Sequence, residues 1–272
     1  MRLVSEKQRK VKPAKAKDST QPRPAEPQPK KSFLGLCREW GDALVIAYIL
    51  AMFIRTFVVE LFKIPSASMT PTLIGGAVLE TDFDGDGEKD LVLKPDPSPP
   101  DEYHVFFRKN GKFAENRKIW NAALISVLNH RFKIQNDRIF VNKMAYWFTP
   151  PKRGDVVVFK IPRVIWDPLR PIYIKRVVGL PGETVEVRDQ RLWINGQRVT
   201  EPPFFGDHMY TRDLQTRPPF SATKIPEDGV YCFGDNTLSS LDSRYWGKVP
   251  LGNLRGRAFF RYSPLNKMKF IK

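Results

Sequence analysis

The sequence predicts a mainly β protein held behind a single N-terminal transmembrane helix, and three features carry the prediction. Ala43 to Phe62 is a twenty-residue run, apolar at seventeen positions. At about 1.5 Å per residue it reaches across the ~30 Å hydrocarbon layer of a bilayer. Beyond it, short runs rich in β-branched residues recur, the composition of strands rather than helices. Between two of those runs stands Asn195-Gly196, a strong hairpin signal. The 272 residues are 42% apolar, enough for a core in one large domain or two small ones, so the chain as a whole is not disordered.

Residues 1 to 31 hold ten Lys or Arg, three acids and five Pro with few bulky apolar side chains. Such a segment cannot bury enough surface to offset its ordering entropy, which predicts a basic, Pro-rich tail over residues 1–39. The anchor is placed at 40–62. Arg55 and Glu60 interrupt it, and an ion at bilayer depth is costly, but both fall in the last third, where a long side chain can snorkel to the interface. A buried core helix and an interfacial helix are the alternatives. The apolar run begins late and no small-residue cleavage site follows it, which argues against a cleaved signal peptide. Basic residues concentrate before the span, so the positive-inside rule puts the tail in the cytoplasm and residues 63–272 on the exported side. Cys37 and Cys232 then lie on opposite sides and cannot pair.

In the exported part, Val156 to Ile161, Tyr173 to Val178, Thr184 to Val187 and Arg191 to Ile194 read as strands. From Glu115 to Arg131 the apolar residues Ile119, Trp120, Ala123, Leu124, Val127 and Leu128 recur at helical spacing, which predicts an amphipathic helix packed on the sheet. The net charge of +16 calls for an anionic neighbour. No helix-turn-helix or aromatic-basic stacking motif accompanies it, so anionic lipid is preferred to nucleic acid.

The first candidate for chemistry is the loop just past the span, Ile64-Pro65-Ser66-Ala67-Ser68-Met69-Thr70-Pro71. Two serines between two prolines could hold a hydroxyl at a fixed height, or could simply end a helix. A serine nucleophile needs a base. His104, His130 and His208 have no carboxylate at a recognisable spacing and read as surface or packing residues, so a Ser-His-Asp triad has little support. A lysine can serve if burial lowers its pKa. Lys175 lies in a β-branched strand, where alternation places it with Tyr173 and Val177 and opposite Ile174 and Arg176. It is either a buried amine or an ordinary solvent-facing cation.

The juncture IPSASMTPTL, the run RGDVVVFK (Arg153 to Lys160), the strand YIKRVVGLPGE (Tyr173 to Glu183) and GDNTLSSLDSRYWGKVP (Gly234 to Pro250) together resemble, in order, the boxes of the type I signal peptidases. The resemblance covers roughly residues 40 to 76, 137 to 200 and 226 to 262. It implies an antiparallel β catalytic domain and a membrane-bound serine endopeptidase that cleaves signal peptides from exported preproteins. By position, Ser68 matches the nucleophile and Lys175 the general base. Ser66 matches the side-chain donor of the oxyanion hole, Ser240 the serine that orients the lysine, and Asp242 and Arg244 a supporting pair. Ile64, Pro65, Met69, Leu73, Tyr173 and Ile174 fall where the family lines its small apolar substrate pockets. No cofactor or catalytic metal is implied, and the partners are preproteins and the phospholipid membrane.

Three features depart from the family pattern. Ala67 stands where many members have glycine. Thr237-Leu238-Ser239 replaces the commonest Arg-Asp-Asn, so the register of Ser240 rests on the flanking GDN and DSRYWG. An insertion, about 77–136, separates the nucleophile loop from the next box. It contains Asp82-Phe83-Asp84-Gly85-Asp86-Gly87-Glu88-Lys89-Asp90, which fits a calcium loop at positions 1, 3, 5, 6 and 9 but places Leu93 where a bidentate carboxylate is needed. A partial acidic turn is the plainer reading of it. The rival functional readings are a non-catalytic, membrane-tethered homologue that binds precursors or assembly partners, and a self-cleaving repressor, which would need a DNA-binding domain where this chain has a span.

Overall fold

The computed structural model describes residues 33–94, 102–120, 131–162, 171–210 and 220–271. Helix α1 runs Phe33–Phe53 and passes into a π-helical turn, Ile54–Val58. Arg38–Val58 is long and apolar enough to cross a membrane, with a mean hydropathy of 1.8. Trp40, Leu44, Ile46 and Tyr48 are all exposed, which is not the pattern of a core helix. The anchor expected over 40–62 is cut short at its far end. Val59 is already extended, with φ −128° and ψ 134°, because this β-branched stretch finds a partner strand and enters a sheet. Of the two ions that interrupt the apolar run, Glu60 therefore lies in a strand and Arg55 stays in the helical segment.

The strands, numbered in chain order, begin with β1 (Val59–Lys63), β2 (Gly75–Thr81), β3 (Asp90–Lys94) and β4 (Glu102–Lys109). Next come β5 (Lys112–Trp120), β6 (Lys133–Asn136), β7 (Arg138–Asn142), β8 (Val156–Lys160) and β9 (Ile172–Gly179). A hairpin set follows as β10 (Thr184–Arg188), β11 (Arg191–Ile194), β12 (Gln197–Arg198) and β13 (Thr223–Lys224). The chain closes with β14 (Gly229–Phe233), β15 (Val249–Pro250), β16 (Leu254–Ser263) and β17 (Lys269–Phe270). Short helices α2 (Pro203–Asp207) and α3 (Ser243–Trp246) lie between them.

Every strand pairing among the described residues is antiparallel, as predicted. The main sheet has eight strands in the order β1-β7-β16-β8-β9-β14-β15, with β17 on β16. Beside it lie a four-stranded sheet, β12-β11-β10-β13, and a five-stranded sheet, β5-β4-β3-β2-β6. Asn195 and Gly196 both take positive φ, 50° and 78°, and join β11 to β12 as the sequence signals.

The insertion is the five-stranded sheet, and the helix expected over Glu115 to Arg131 is not what its first part forms. Glu115 to Trp120 belongs to β5, which pairs with β4 from Glu102↔Trp120 to Lys109↔Lys112. Residues 121–130 lie outside the described residues. The tight reversal at Asn110-Gly111, with φ of 53° and 74°, closes the β4–β5 hairpin. Once the register is set, Ile119 packs with Val92, Tyr103, Val105 and Phe107, and a period of two overrides the helical spacing.

The acidic loop turns on itself. Asp82 accepts from the N–H groups of Gly85 and Gly87 at 2.8 and 3.0 Å. Asp90 accepts from Phe83 and Arg108 N–H. Leu93 is fully buried in β3. Carboxylate oxygens of Asp82, Asp84 and Asp86 lie within 4.8 Å of one another, while Leu93 leaves position 12 without its carboxylate.

Candidate active site

The loop between β1 and β2 places the two serines. Ser66 is extended, with φ −121° and ψ 157°, and opens a 3-10 turn, Ala67–Met69, whose three residues are buried. The turn is anchored from below: Ile64, Met69 and Leu73 join Ile139, Val141, Val156, Val158 and Ala258 in one core cluster. Gly75 lies against it so closely that a Cβ would fall 2.6 Å from the Ser66 backbone N and O. Ser68 is thereby held rigidly, with its side chain nearly sealed from solvent.

Strand β9 supplies the amine. Lys175 Nζ lies 2.7 Å from Ser68 Oγ and 3.1 Å from the Ile174 carbonyl. The side chain is only 4% exposed, so the buried alternative holds and the solvent-facing one does not. Burial pulls the amine from 10.5 down to about 8, against the opposing pull of Asp242 and Asp235. The predicted alternation is present: Tyr173 and Val177 pack in one cluster and Ile174 in the other. Both faces of β9 are covered, however, and Arg176 is as deeply buried as its neighbour. Its guanidinium makes two hydrogen bonds to Asp235, at 2.9 and 2.8 Å, and one to the Gly154 carbonyl at 2.8 Å.

The loop after β14 closes the site from the third side. Asp242 caps α3 and accepts from the Gly234 N–H at 2.9 Å, Ser240 Oγ at 2.6 Å, and Arg244 Nε and Nη2 at 2.8 and 2.7 Å. Burial pushes its carboxyl up, but the Arg244 guanidinium and these hydrogen bonds outweigh it and hold the group below the usual carboxylate range. Gly234 is needed for close approach, since a Cβ there would sit 2.2 Å from Ser240 Oγ and 2.5 Å from the Ser68 carbonyl.

The sequence-predicted residues therefore converge unevenly. Ser68, Lys175 and Ser66 meet, the two serine hydroxyls lying 3.4 Å apart. Ser240 sits in the same wall, but its hydroxyl is bonded to Asp242; the amine's hydrogen bonds go to Ser68 and Ile174. Ile64, Met69 and Leu73 form the floor beneath the turn, whereas Pro65, Tyr173 and Ile174 keep exposure. Tyr173 lies beside the amine, its ring centroid 5.3 Å from Nζ.

Sequence reasoning missed Arg176, Asp235, Asn236 and His104. Asn236 donates its N–H to the Ser68 carbonyl at 3.0 Å and its Nδ2 to the Ala67 carbonyl at 3.3 Å. The GDN motif marked its position but not this contact. His104 is buried and His208 is partly buried. His208 stacks on Phe204 as a packing residue, while His104 is hydrogen-bonded on both sides. His130 lies outside the described residues. The one signal for the His104 strand was Asn110-Gly111, the same dipeptide that marks β11–β12.

Comparison with known proteins places the chain among peptidases. Residues 37–105 and 122–263 match the family described as "Signal peptidase, peptidase S26". A signal peptidase I of Leptolyngbya laminosa is 39% identical over 57% of this chain and 71% of its own length. Signal peptidase I T of Bacillus subtilis is 28% identical over 86% of this chain and 89% of its own. A probable signal peptidase I-2 of Synechocystis sp. is 29% identical over 86% and 76% respectively. The chain belongs to the signal peptidase family, peptidase S26.

Proposed function

We propose that this chain is a membrane-anchored serine endopeptidase that removes N-terminal signal peptides from exported preproteins, with Ser68 as nucleophile and Lys175 as general base. The observation that carries this reading is the 2.7 Å contact between Lys175 Nζ and Ser68 Oγ inside a sealed cleft that lowers the amine to about 8. A neutral amine at that distance takes the hydroxyl proton as Oγ attacks the scissile carbonyl. The Ser68 N–H and the Ser66 hydroxyl are the donors for the oxyanion, each worth about 3 kcal/mol when aimed at developing charge. The resulting ammonium returns its proton to the leaving amine. Water, deprotonated by the same lysine, then releases the acyl group from Ser68.

Ser240 and the Asp242–Arg244 pair support this arrangement by holding the wall behind the amine. Pro65, Tyr173 and Ile174 are the exposed part of the candidate substrate pocket, over a floor of Ile64, Met69 and Leu73.

The basic tail keeps the N-terminus cytoplasmic and puts the β domain on the exported side. Ser68 follows Val58 by ten residues, so chain length holds it within about 35 Å of the end of the anchor. A precursor tethered by its own apolar segment shares that surface, which raises effective concentration.

The test uses full-length protein in phospholipid vesicles with a model precursor. Ser68→Ala and Lys175→Ala are each expected to reduce cleavage by about 10³-fold or more while still inserting in the membrane. Wild-type cleavage by either variant sinks the assignment and favours a tethered, non-catalytic binding protein.

A further inference from the structure

One face of the inserted sheet is directed at the serine turn. Alternation along β4 and β5 puts Glu102, His104, Asn116 and Lys118 on this face, with His104 opposite Lys118 and Phe106 opposite Asn116. His104 is fully buried. Its Nε2 lies 2.8 Å from Glu102 Oε1, the oxygen that Lys118 Nζ also approaches at 3.2 Å. Its Nδ1 lies 3.3 Å from Asn236 Nδ2. Asn116 Nδ2 approaches Asn236 Oδ1 at 3.5 Å.

The donors and acceptors in this chain have a single consistent direction. The Ala67 carbonyl can only accept, so the Asn236 amide must turn its NH₂ group toward it. The same NH₂ faces His104 Nδ1, which must then be a lone pair. The imidazole proton is left on Nε2, where the Glu102 carboxylate accepts it. A neutral imidazole is required, and burial does hold His104 below its ordinary pKa, outweighing the nearby carboxylate. The Ala67 carbonyl and the Ser68 N–H belong to one planar peptide unit. Whatever fixes the direction of that carbonyl fixes the direction of the N–H, the proposed oxyanion donor.

We propose that His104 is a positioning residue: its Nδ1 lone pair, aimed by Glu102, fixes the Asn236 amide and, through it, the peptide plane that carries the Ser68 N–H. The inference rests on the assignment of Ser68 and Lys175 made above. It gives the insertion a function in the reaction without any contact with substrate. The Ala67 carbonyl also accepts from the Thr70 N–H at 3.0 Å, so loss of the Nδ1 acceptor leaves the peptide plane with one of its two partners fixed and loosens the oxyanion donor. Such a loss is felt in the transition state and lowers kcat with little change in KM.

Two substitutions at one position separate this role from mere packing. In His104→Asn the amide oxygen stands at the level of Nδ1 and keeps the acceptor that Asn236 needs. In His104→Gln the amide reaches the level of Nε2 and keeps the Glu102 partner, but no acceptor remains at Nδ1. With full-length protein in vesicles and a model precursor, His104→Gln is expected to lower kcat about 10- to 100-fold, with KM within about twofold of wild type. His104→Asn is expected to recover most of that loss. Equal kcat losses in the two variants, or a loss expressed in KM, overturn the proposal.

Should neither variant fold, imidazole ¹⁵N NMR of the wild type decides, the chain having three histidines. An unprotonated Nδ1 on His104 supports the proposal and an Nδ1–H tautomer overturns it. An active Ser68→Ala protein defeats the underlying assignment. An inactive Ser68→Ala protein beside a His104→Gln protein of wild-type rate defeats only the role of His104.

Discussion

Lys175 and Arg176 are consecutive cations on opposite faces of one strand, both almost entirely buried, and the fold treats them differently. Arg176 is matched by a carboxylate: Asp235 takes two of its N–H groups and the Gly154 carbonyl a third. Lys175 has no carboxylate within hydrogen-bonding distance among the described residues. Its amine meets a hydroxyl and a carbonyl, and burial lowers its pKa to about 8. A buried cation that is paired serves as structure, whereas one left without a counter-ion releases its proton more readily and becomes available as a base. On the proposed mechanism, adjacent residues on the same strand thus divide stability from reactivity.

The largest expected effect breaks the paired side. Arg176→Met removes the partner of a buried carboxylate and should cost about 3–5 kcal/mol of stability, read by denaturant unfolding of the solubilised protein. A loss below about 1 kcal/mol, the range of a surface pair, would mean that Asp235 is satisfied without the arginine.

Next comes the pH dependence of the unpaired side. In the proposed mechanism the neutral amine is the reactive form, so the rate should climb about 50-fold from pH 6 to pH 8, where half the lysine is neutral, and level off above. A rate flat across that interval removes lysine as the base.

The smallest effect is the most diagnostic. Because the folded pKa of Lys175 lies below its ordinary 10.5, the unfolded chain binds the extra proton between about 8 and 10.5 and stability rises with pH through that window. Below it, the folded state carries a buried ammonium. Lys175→Met should therefore be inactive yet more stable than wild type by about 1–3 kcal/mol at pH 7, with the advantage fading as pH rises past 8. A less stable variant at pH 7 would mean that the amine is well solvated or paired.

The antiparallel β architecture was legible in the sequence where short β-branched runs and Asn195-Gly196 carry a local signal. It was misread at Glu115 to Trp120, where apolar spacing fitted a helix until pairing with β4 imposed the other period. The anchor was legible by length and apolar content, but its end was not, because Val58 and Val59 suit a helix in lipid as well as a strand beside β7. Ser68 and Lys175 were marked by motif. His104 was passed over because its partners lie in different parts of the chain: Glu102 is two residues away, but Asn236 is 132, and no spacing rule joins them.

By itself the sequence determined what depends on neighbours along the chain: an apolar run long enough to span a bilayer, strands, turns, and motifs that mark a serine and a lysine. Only the tertiary structure decided which cation is matched by a carboxylate and which is not. Desolvation and counter-ions are set by groups that arrive from distant segments, and they alone decide whether a lysine in a β-strand is a solvated charge or a base.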